Sequence, residues 1–411
     1  MNLLLNLYLG FGGLLAHKLR AFLTMLGIIF GVAAVIAMLS IGEGARRQAM
    51  RQIELMGINN IIIEDDELSG RELIEARAGF SKGLTLQDAE AVREIAPQVF
   101  AVVPVRKDEV DIRYGSSKMK VNLIGSHPEY PSAINHYIRR GRFFDYEDVR
   151  QVRRVCVIGE AVKKEMFPFS DPLYQEIKIG NTWFTIIGLL ESKEVSVKPV
   201  SGYKIRDYNN DIIVPLTCSQ KFFSRGEVVS PLNQIIVKVE KSSGIRALGD
   251  LIERMMTRRH YQQADFKVVI PEELLKQSQS TQRIFNVVMG AIAGISLLVG
   301  GIGIMNIMLS SVLERTREVG IRRAVGAKRR EIMGQFLIEA VMMSFTGGLL
   351  GIFLGVGLAK MINFYAGWIT VISAVSVILS FGVAAGVGLI FGFYPARRAA
   401  LLNPIEALRY E

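Results

Sequence analysis

Four long runs of apolar residues dominate this sequence of 411 residues, and they restrict the folds that it can adopt. Each run is about as long as the roughly 20 residues that a helix needs to cross a bilayer core. This pattern excludes a purely soluble enzyme, a disordered chain and a small disulfide scaffold. The runs predict four membrane-spanning helices, at about 21–41, 285–312, 336–359 and 370–393.

The distribution of charge predicts the orientation of these spans. The chain has a formal net charge of +10, yet residues 43–283 hold 36 Lys and Arg against 33 Asp and Glu. The remaining +7 lies beside the apolar runs, in basic clusters before the first run, between the second and third, and after the fourth. Short basic loops stay on the cytoplasmic side, so we expect cytoplasmic N- and C-termini. Because the large domain carries little of the excess charge, nucleic acid is not an expected partner.

These observations predict an α+β membrane protein with four transmembrane helices and a large α/β extracytoplasmic domain inserted between helices 1 and 2. Residues 1–42 are expected to hold an interfacial helix, which lies on the inner leaflet, followed by transmembrane helix 1. Residues 43–283 are expected to form the extracytoplasmic domain. Residues 284–411 hold transmembrane helices 2–4, a cytoplasmic loop at 314–335 and a cytoplasmic C-terminal tail.

The pattern of the outer domain predicts two lobes. A β-α-β order occurs at 60–105 and again at 234–270, which indicates one lobe built from both ends of the domain. Thr85 precedes the first helical pattern and is expected to cap it. Between the two ends, short strands and a Gly-Asn turn at 180–181 predict an inserted β-rich lobe at about 130–230.

The sequence contains no motif that predicts catalysis or metal binding by this chain. G-x-x-x-x-G-K-[ST], G-x-S-x-G and H-E-x-x-H are all absent, and the four histidines are scattered. Cys156 and Cys218 lie on the predicted oxidising side, either as buried thiols or as a disulfide. Glu339 is the acidic residue of the third span, and we expect it to reach the interface or to pair with a loop arginine rather than to relay protons.

Glycines four residues apart recur in the apolar runs and let helices approach closely. They predict a helix bundle or a dimer rather than a substrate pore. The predicted helix-packing positions are Gly27, Gly31, Gly290, Gly294, Gly347, Gly351 and Gly355.

The loop between the second and third runs is the most informative segment of the chain. It reads ERTREVGIRRAVGAKRREIMGQFLIE from residue 314 to 339, and its interspersed charges suit a surface that docks another protein. GGIGIMNIMLSSV precedes it, and the chain ends in FGFYPARRAALLNPIEALRYE. These motifs resemble those of MacB/FtsX-type ABC transporter permeases, and the C-terminal motif is similar to the MacB branch in particular.

The resemblance implies that residues 314–330 form a coupling helix that sits on an ATPase subunit. It implies no catalytic residue, no metal site and no cofactor bound by this chain, because ATP and Mg would be held by the partner ATPase. Gly320 and Gly326 would shape the helix, and the implied contact residues are Glu314, Arg315, Arg317, Glu318, Arg322 and Arg323.

The resemblance also implies a set of partners and a location. The partners are a separate ABC ATPase subunit, a second permease copy in a homodimer, a periplasmic adaptor (membrane fusion) protein and an outer-membrane channel. The location is the lipid bilayer of the bacterial inner membrane. MacB itself carries its ATPase domain at the N-terminus of the same chain, whereas this sequence begins almost directly at the membrane, from which we expect a separate ATPase rather than a truncation.

The expected function is that of a MacB-type permease subunit. ATP hydrolysis on the partner would drive a conformational change of the outer domain and export of a substrate, a process called mechanotransmission. Two alternatives stay open on the sequence: lipoprotein extraction of the LolC/LolE type, and FtsX-like, non-transporting regulation of cell-wall hydrolases.

Overall fold

A computed structural model describes residues 18–66, 82–96, 99–193, 207–223, 230–240, 244–263 and 265–409. The expected interfacial helix before residue 16 lies outside these described residues. The chain divides into two compact units. The first, here called the membrane unit, comprises Met1–Gln48 and Gln279–Glu411, and the second, here called the outer unit, comprises Ala49–Ser278.

Helices and strands are numbered separately in chain order. The helices are α1 (Lys18–Met56), α2 (Leu86–Ile95), α3 (Tyr130–Ala133), α4 (Tyr146–Arg150), α5 (Glu160–Met166), α6 (Leu216–Phe222), α7 (Ile245–Arg259), α8 (Pro271–Glu314), α9 (Thr316–Ala324), α10 (Arg329–Ala366), α11 (Ala374–Ala400) and α12 (Pro404–Arg409). The strands are β1 (Asn60–Asp65), β2 (Val99–Tyr114), β3 (Ser117–Ser126), β4 (Ile138–Gly141), β5 (Val155–Ile158), β6 (Glu176–Ile179), β7 (Thr182–Leu190), β8 (Asp211–Pro215), β9 (Gln234–Val239) and β10 (Phe266–Val269).

Four helices of the described chain, α1, α8, α10 and α11, are long and apolar enough to cross a membrane. This confirms the four predicted apolar helices. Local signals fix where they begin and end. The backbone N–H of Lys328 donates to the Glu331 carboxylate at 2.9 Å at the start of α10, and Gly367 ends that helix with a φ of 61°. Ser373 caps α11 by accepting a hydrogen bond from the Ser376 backbone N–H at 3.0 Å.

Close approaches at glycine hold α1 in the core of the membrane unit. A Cβ atom at Gly27 would lie 2.6 Å from the Cα of Gly300 in α8, and one at Gly31 would lie 2.6 Å from the Leu297 Cγ atom. On the other side of α1, a Cβ at Gly351 of α10 would lie 2.8 Å from the Val32 Cβ. The backbones of α1 and α8 therefore meet at a point where a larger residue has no room.

The remaining glycine positions divide into two groups. Gly347 and Gly355 face Ile28 and Ala33 of α1, whereas no described atom lies within 4 Å of the position that a Cβ would occupy at Gly290 or Gly294. Three further glycines at close approaches were not predicted. One is Gly300, and the others are Gly388 and Gly392 of α11, which let that helix approach Ser344 and Ala340 of α10.

A ten-stranded sheet organises the outer unit, in the order β10-β1-β9-β2-β3-β8-β5-β7-β4, with β6 pairing β2 and β7. The first part of β2 pairs with β9, and from Arg106 onward it pairs with β3. β2 thus belongs to both halves of the sheet. The second half begins at Arg106, before residue 130, at which the inserted lobe was predicted to start. Gly180, with a φ of 57°, makes the predicted hairpin turn between Ile179 and Thr182.

The predicted cap of α2 is present and belongs to a buried polar cluster. Thr85 accepts from the Asp88 backbone N–H at 3.3 Å, and Asp88 accepts from the Thr85 backbone N–H at 2.9 Å. Asp88 also lies 2.7 Å from Arg259 and 3.5 Å from His260, and His260 lies 2.8 Å from Asp265. The cluster ties the start of α2 to the end of α7.

Both cysteines are buried free thiols in this structure, so the thiol alternative is the one observed. Burial raises the pKa of the Cys156 thiol well above its usual range, and it raises the pKa of Cys218 to about 11. Neither thiol is therefore activated as a nucleophile at neutral pH.

Candidate functional site

Helix α9 begins directly where α8 ends. Arg315 is the single residue between them, with φ −101° and ψ 15°. Its backbone N–H still donates to the Ser311 carbonyl at 3.0 Å, and its carbonyl accepts from Val319 at 3.0 Å. The Thr316 hydroxyl donates back to the Val312 carbonyl at 2.9 Å. The chain therefore changes direction between two helices at Arg315 while keeping most of its backbone hydrogen bonds.

A glycine turn ends α9 and leads into α10. Gly326 has a φ of 108°, a conformation that residues with a side chain rarely adopt. The Gly326 N–H donates to the Arg323 carbonyl at 3.2 Å, and the Ala327 N–H donates to the Arg322 carbonyl at 3.0 Å. The chain therefore turns at Gly326.

Gly320 has a different role from Gly326. It lies inside α9 and is buried, and a Cβ atom there would lie 2.7 Å from the Cβ of Ala407 in α12. The helix continues through Gly320, and the missing side chain makes room for α12. The C-terminal motif and the loop motif thus pack against each other.

Three arginines among the six implied contact residues are engaged within the chain. Arg315 lies 3.3 Å from Glu339, which has 8% of its side chain exposed. Arg322 pairs with Glu318 and donates to the Gln335 side chain at 2.6 Å. Arg323 donates to the Ala327 carbonyl at 3.4 Å. The expectation that Glu339 pairs with a loop arginine is therefore met.

The outward side of α9 carries a different set of residues. Glu314, Arg317 and Glu318 are exposed. Ile321 and Val325 are also exposed, by 49% and 86%. We call Arg317, Ile321, Ala324 and Val325 the docking face, because their spacing of three or four residues places them on one side of the helix.

The prediction from sequence rested on the charges of the loop and so missed the apolar part of the docking face. The signal was nonetheless present, since Arg317, Ile321 and Val325 follow one another at intervals of four residues. It also missed Gln335 and Ala407, whose roles depend on how α10 and α12 fold back onto α9.

A cavity of about 210 Å³ lies beside α9, between the end of α8 and α12. Its walls include Leu309, Leu313 and Leu402, together with the charged side chains of Arg398 and Glu406. The cavity has no catalytic arrangement of side chains. In the part of the chain that the structure describes, no group of three or more His, Cys, Asp or Glu residues could hold a metal ion.

Comparisons with known proteins place these features in a family. Residues 21–255 match the family described as MacB-like periplasmic core domain, and residues 290–404 match the family described as FtsX-like permease C-terminal. The second match contains the whole of α9 and the turn at Gly326.

Individual relatives are similar over nearly all of the chain. The macrolide export ATP-binding/permease protein MacB of Bdellovibrio bacteriovorus is 37% identical over 99% of this chain and 62% of its own length. The pyoverdine export ATP-binding/permease protein PvdT of Pseudomonas putida is 36% identical over 96% of this chain and 58% of its own length. The chain thus spans about three fifths of the length of these relatives.

The crystal structure of the periplasmic region of MacB from Actinobacillus actinomycetemcomitans has a TM-score of 0.44 and 19% identity to this chain. It covers 56% of this chain and 95% of its own. The two family matches together span most of the sequence, one from within α1 through most of the outer unit and one from within α8 to the start of α12. On these matches, the chain belongs to the family of MacB-like ABC transporter permeases with an FtsX-like C-terminal domain.

Proposed function

We propose that this chain is the permease subunit of a MacB-type ABC transporter, which exports a substrate at the expense of ATP hydrolysed by a separate ATPase subunit. The observation that carries the proposal is the docking face on α9. It presents two exposed apolar side chains, Ile321 and Val325, beside the cation of Arg317. The face lies between α8 and α10, which are both long and apolar enough to span a membrane.

The proposed orientation places both termini and α9 in the cytoplasm of a bacterium, with the chain in the inner membrane. The outer unit is then an extracytoplasmic domain inserted between transmembrane helices α1 and α8. Each of these helices has residues in both units, since α1 ends at Met56 and α8 begins at Pro271. These two helices would provide the covalent path along which motion reaches the outer domain.

The assembly that we propose contains two permease chains and two ATPase subunits, which hold the ATP and Mg. A periplasmic adaptor protein and an outer-membrane channel complete the export path. Closure of the ATPase pair would bring the two α9 helices together, and the outer domains would respond by expelling the substrate. The two relatives described above carry export functions in their names, which favours export over lipoprotein extraction or regulation of hydrolases.

The docking face indicates what the ATPase must offer. Buried apolar side chains near the centre of an interface usually contribute most of its binding energy, and a charged rim contributes mainly orientation. We therefore expect an apolar groove on the ATPase for Ile321 and Val325, with a carboxylate near Arg317.

The proposal is tested by co-purification of the full chain with a candidate ABC ATPase expressed as a separate chain. Val325→Glu should weaken the complex at least tenfold, because a carboxylate would be placed in the apolar groove. Leu251→Glu is the matched control, since Leu251 is exposed on α7 of the outer unit. Affinity is measured by fluorescence titration in lipid nanodiscs. If the wild-type chain forms no complex and does not stimulate ATP hydrolysis, the proposed function is wrong.

A further inference from the structure

Two side-chain contacts join α9 and the junction before it to α10. An Arg315 Nη atom lies 3.3 Å from a Glu339 carboxylate oxygen, and an Arg322 Nη atom donates to the Gln335 side-chain oxygen at 2.6 Å. Gln335 and Glu339 are four residues apart and so lie on one face of α10. Arg315 and Arg322 are seven residues apart, close to two helical turns. The contacts thus join two points, the junction before α9 and α9 itself, to one face of α10.

Because Glu339 is buried, its pairing with Arg315 is needed more than the contact between Arg322 and Gln335. Glu339 has 8% of its side chain exposed, and it lies within a helix that is apolar enough to span a membrane. An unpaired carboxylate in such a position is expensive, whereas a paired one is tolerated. Ile332, Phe336 and Ala340 of α10 are buried as well, whereas Arg315 keeps 29% of its side chain exposed, so it is the carboxylate end of the contact that is buried.

Helix α12 holds α9 from a second direction. The close contact of Gly320 with Ala407 leaves no space for a side chain between these two helices. Helix α9 is therefore fixed against both α10 and α12, and not only by its covalent junctions. One of those junctions, Gly326, is a turn rather than a continuous helix.

We propose that Arg315–Glu339 and Arg322–Gln335 form a clamp through which α9 passes the displacement of a docked ATPase to α10. This inference rests on the proposed function of α9 as the docking helix. It assigns Arg315 and Arg322 as positioning residues rather than as residues that contact the ATPase. If these two contacts were broken, a displacement of α9 would be taken up by backbone rotation at Arg315 and Gly326 and would not move α10.

The first experiment measures coupling in the full chain, reconstituted with its ATPase in lipid nanodiscs. Arg315→Gln and Glu339→Gln should each leave the Kd for the ATPase within twofold of wild type. Both should reduce the stimulation of ATP hydrolysis by the permease at least fivefold. The exchanged pair, Arg315→Glu with Glu339→Arg, should recover at least half of the loss. Arg397→Gln is the control, because it removes an exposed guanidinium of the same unit.

Recovery in the exchanged pair is a result that general destabilisation would not give. Wild-type stimulation in both single variants, at wild-type affinity, would overturn the clamp while leaving the docking of the ATPase intact.

A second experiment needs no ATPase. Spin labels replace the exposed side chains of Val325 and Phe353, and the distance between them is measured by pulsed electron paramagnetic resonance in the full chain. The distribution of this distance should be narrow in the labelled chain without other substitutions. It should be broad when Arg315→Gln is added, and narrow again in the exchanged pair. A narrow distribution with Arg315→Gln would overturn the clamp. Failure of the wild-type chain to bind the ATPase would overturn the proposed function, and the role of the clamp with it.

Discussion

At the scale of single residues, His260 connects two carboxylates inside the outer unit. Burial lowers the pKa of His260, but its hydrogen bonds with Asp265 and Asp88 outweigh this effect and raise the pKa to about 9. Burial would raise the pKa of Asp88, yet its bonds with His260, Thr85 and Arg259 hold that pKa well below its usual range. The imidazole is therefore charged at neutral pH and forms an ion pair with both neighbours.

This arrangement predicts how the stability of the outer unit changes with pH. Since the pKa of His260 is above its unfolded value of about 6.5, its contribution is fully present below that pH and is lost as the pH rises through 9. The contribution is at most about 3 kcal/mol. His260→Gln should therefore destabilise the unit clearly at pH 6, and the gap to wild type should narrow by pH 10.

Thermal unfolding can be followed by the fluorescence of Trp183 in a Trp368→Phe background, because these are the two tryptophans of the chain. His127→Gln is the control, since burial lowers the pKa of His127 to about 4 and the folded protein holds it neutral from pH 6 to pH 10. Its contribution to stability falls only below about pH 6.5, where the unfolded chain binds a proton. Burial also lowers the pKa of Lys193 to about 8. In every variant, the stability contributed by this group therefore rises with pH above about 8, opposite to the effect of His260. A difference in unfolding temperature between wild type and His260→Gln that stays constant from pH 6 to pH 10 would contradict the raised pKa of His260.

At the scale of elements, the turn between α9 and α10 depends on one backbone conformation. Gly326 has a φ of 108°, and nothing described lies within 4 Å of the position that a Cβ would occupy. Gly326→Ala therefore meets no neighbour, and its cost is backbone strain of about 1–2 kcal/mol. The strain can be relieved by rotating α9, so we expect weaker binding of the ATPase as well as a lower unfolding temperature.

Gly334→Ala is the matched substitution. Gly334 lies within α10, and it too has no described atom within 4 Å of the Cβ position. Because alanine favours the helix by about 1 kcal/mol over glycine, this variant should be as stable as wild type or more stable, with unchanged binding. Equal effects of the two substitutions on binding and stability would show that the φ of Gly326 is not what orients α9.

The elements also show what could be predicted from sequence alone. The four spans and most strand positions follow from local patterns of apolar and turn residues, and the Thr85 cap follows from a short-range signal. β3 was missed although Met119, Val121 and Leu123 alternate with polar residues, because its first four residues are largely exposed and become a strand by pairing with β2. The inward direction of Arg315 and Arg322 was missed for a similar reason, since it depends on the fold of α9 against α10.

At the scale of the whole molecule, one face of α8 has no neighbour among the described residues. Gly290 and Gly294 were predicted to pack against another helix, yet no described atom lies within 4 Å of a Cβ at either position. Val287 and Ile295 beside them are exposed by 67% and 62%. In a membrane, such a small-residue face can be covered by lipid or by the same face of a second chain.

The proposed homodimer predicts that the second chain covers this face, so that the two α8 helices pack at Gly290 and Gly294. Replacing both glycines with leucine would separate the helix backbones and should convert dimers to monomers, measured by native mass spectrometry from nanodiscs or detergent. Gly382 and Gly386 of α11, which also have no described atom within 4 Å of a Cβ, provide the matched control. Leucine at those two positions should leave the dimer intact. Loss of the dimer in the α11 variant instead would place the interface on α11 and leave the glycines of α8 facing lipid.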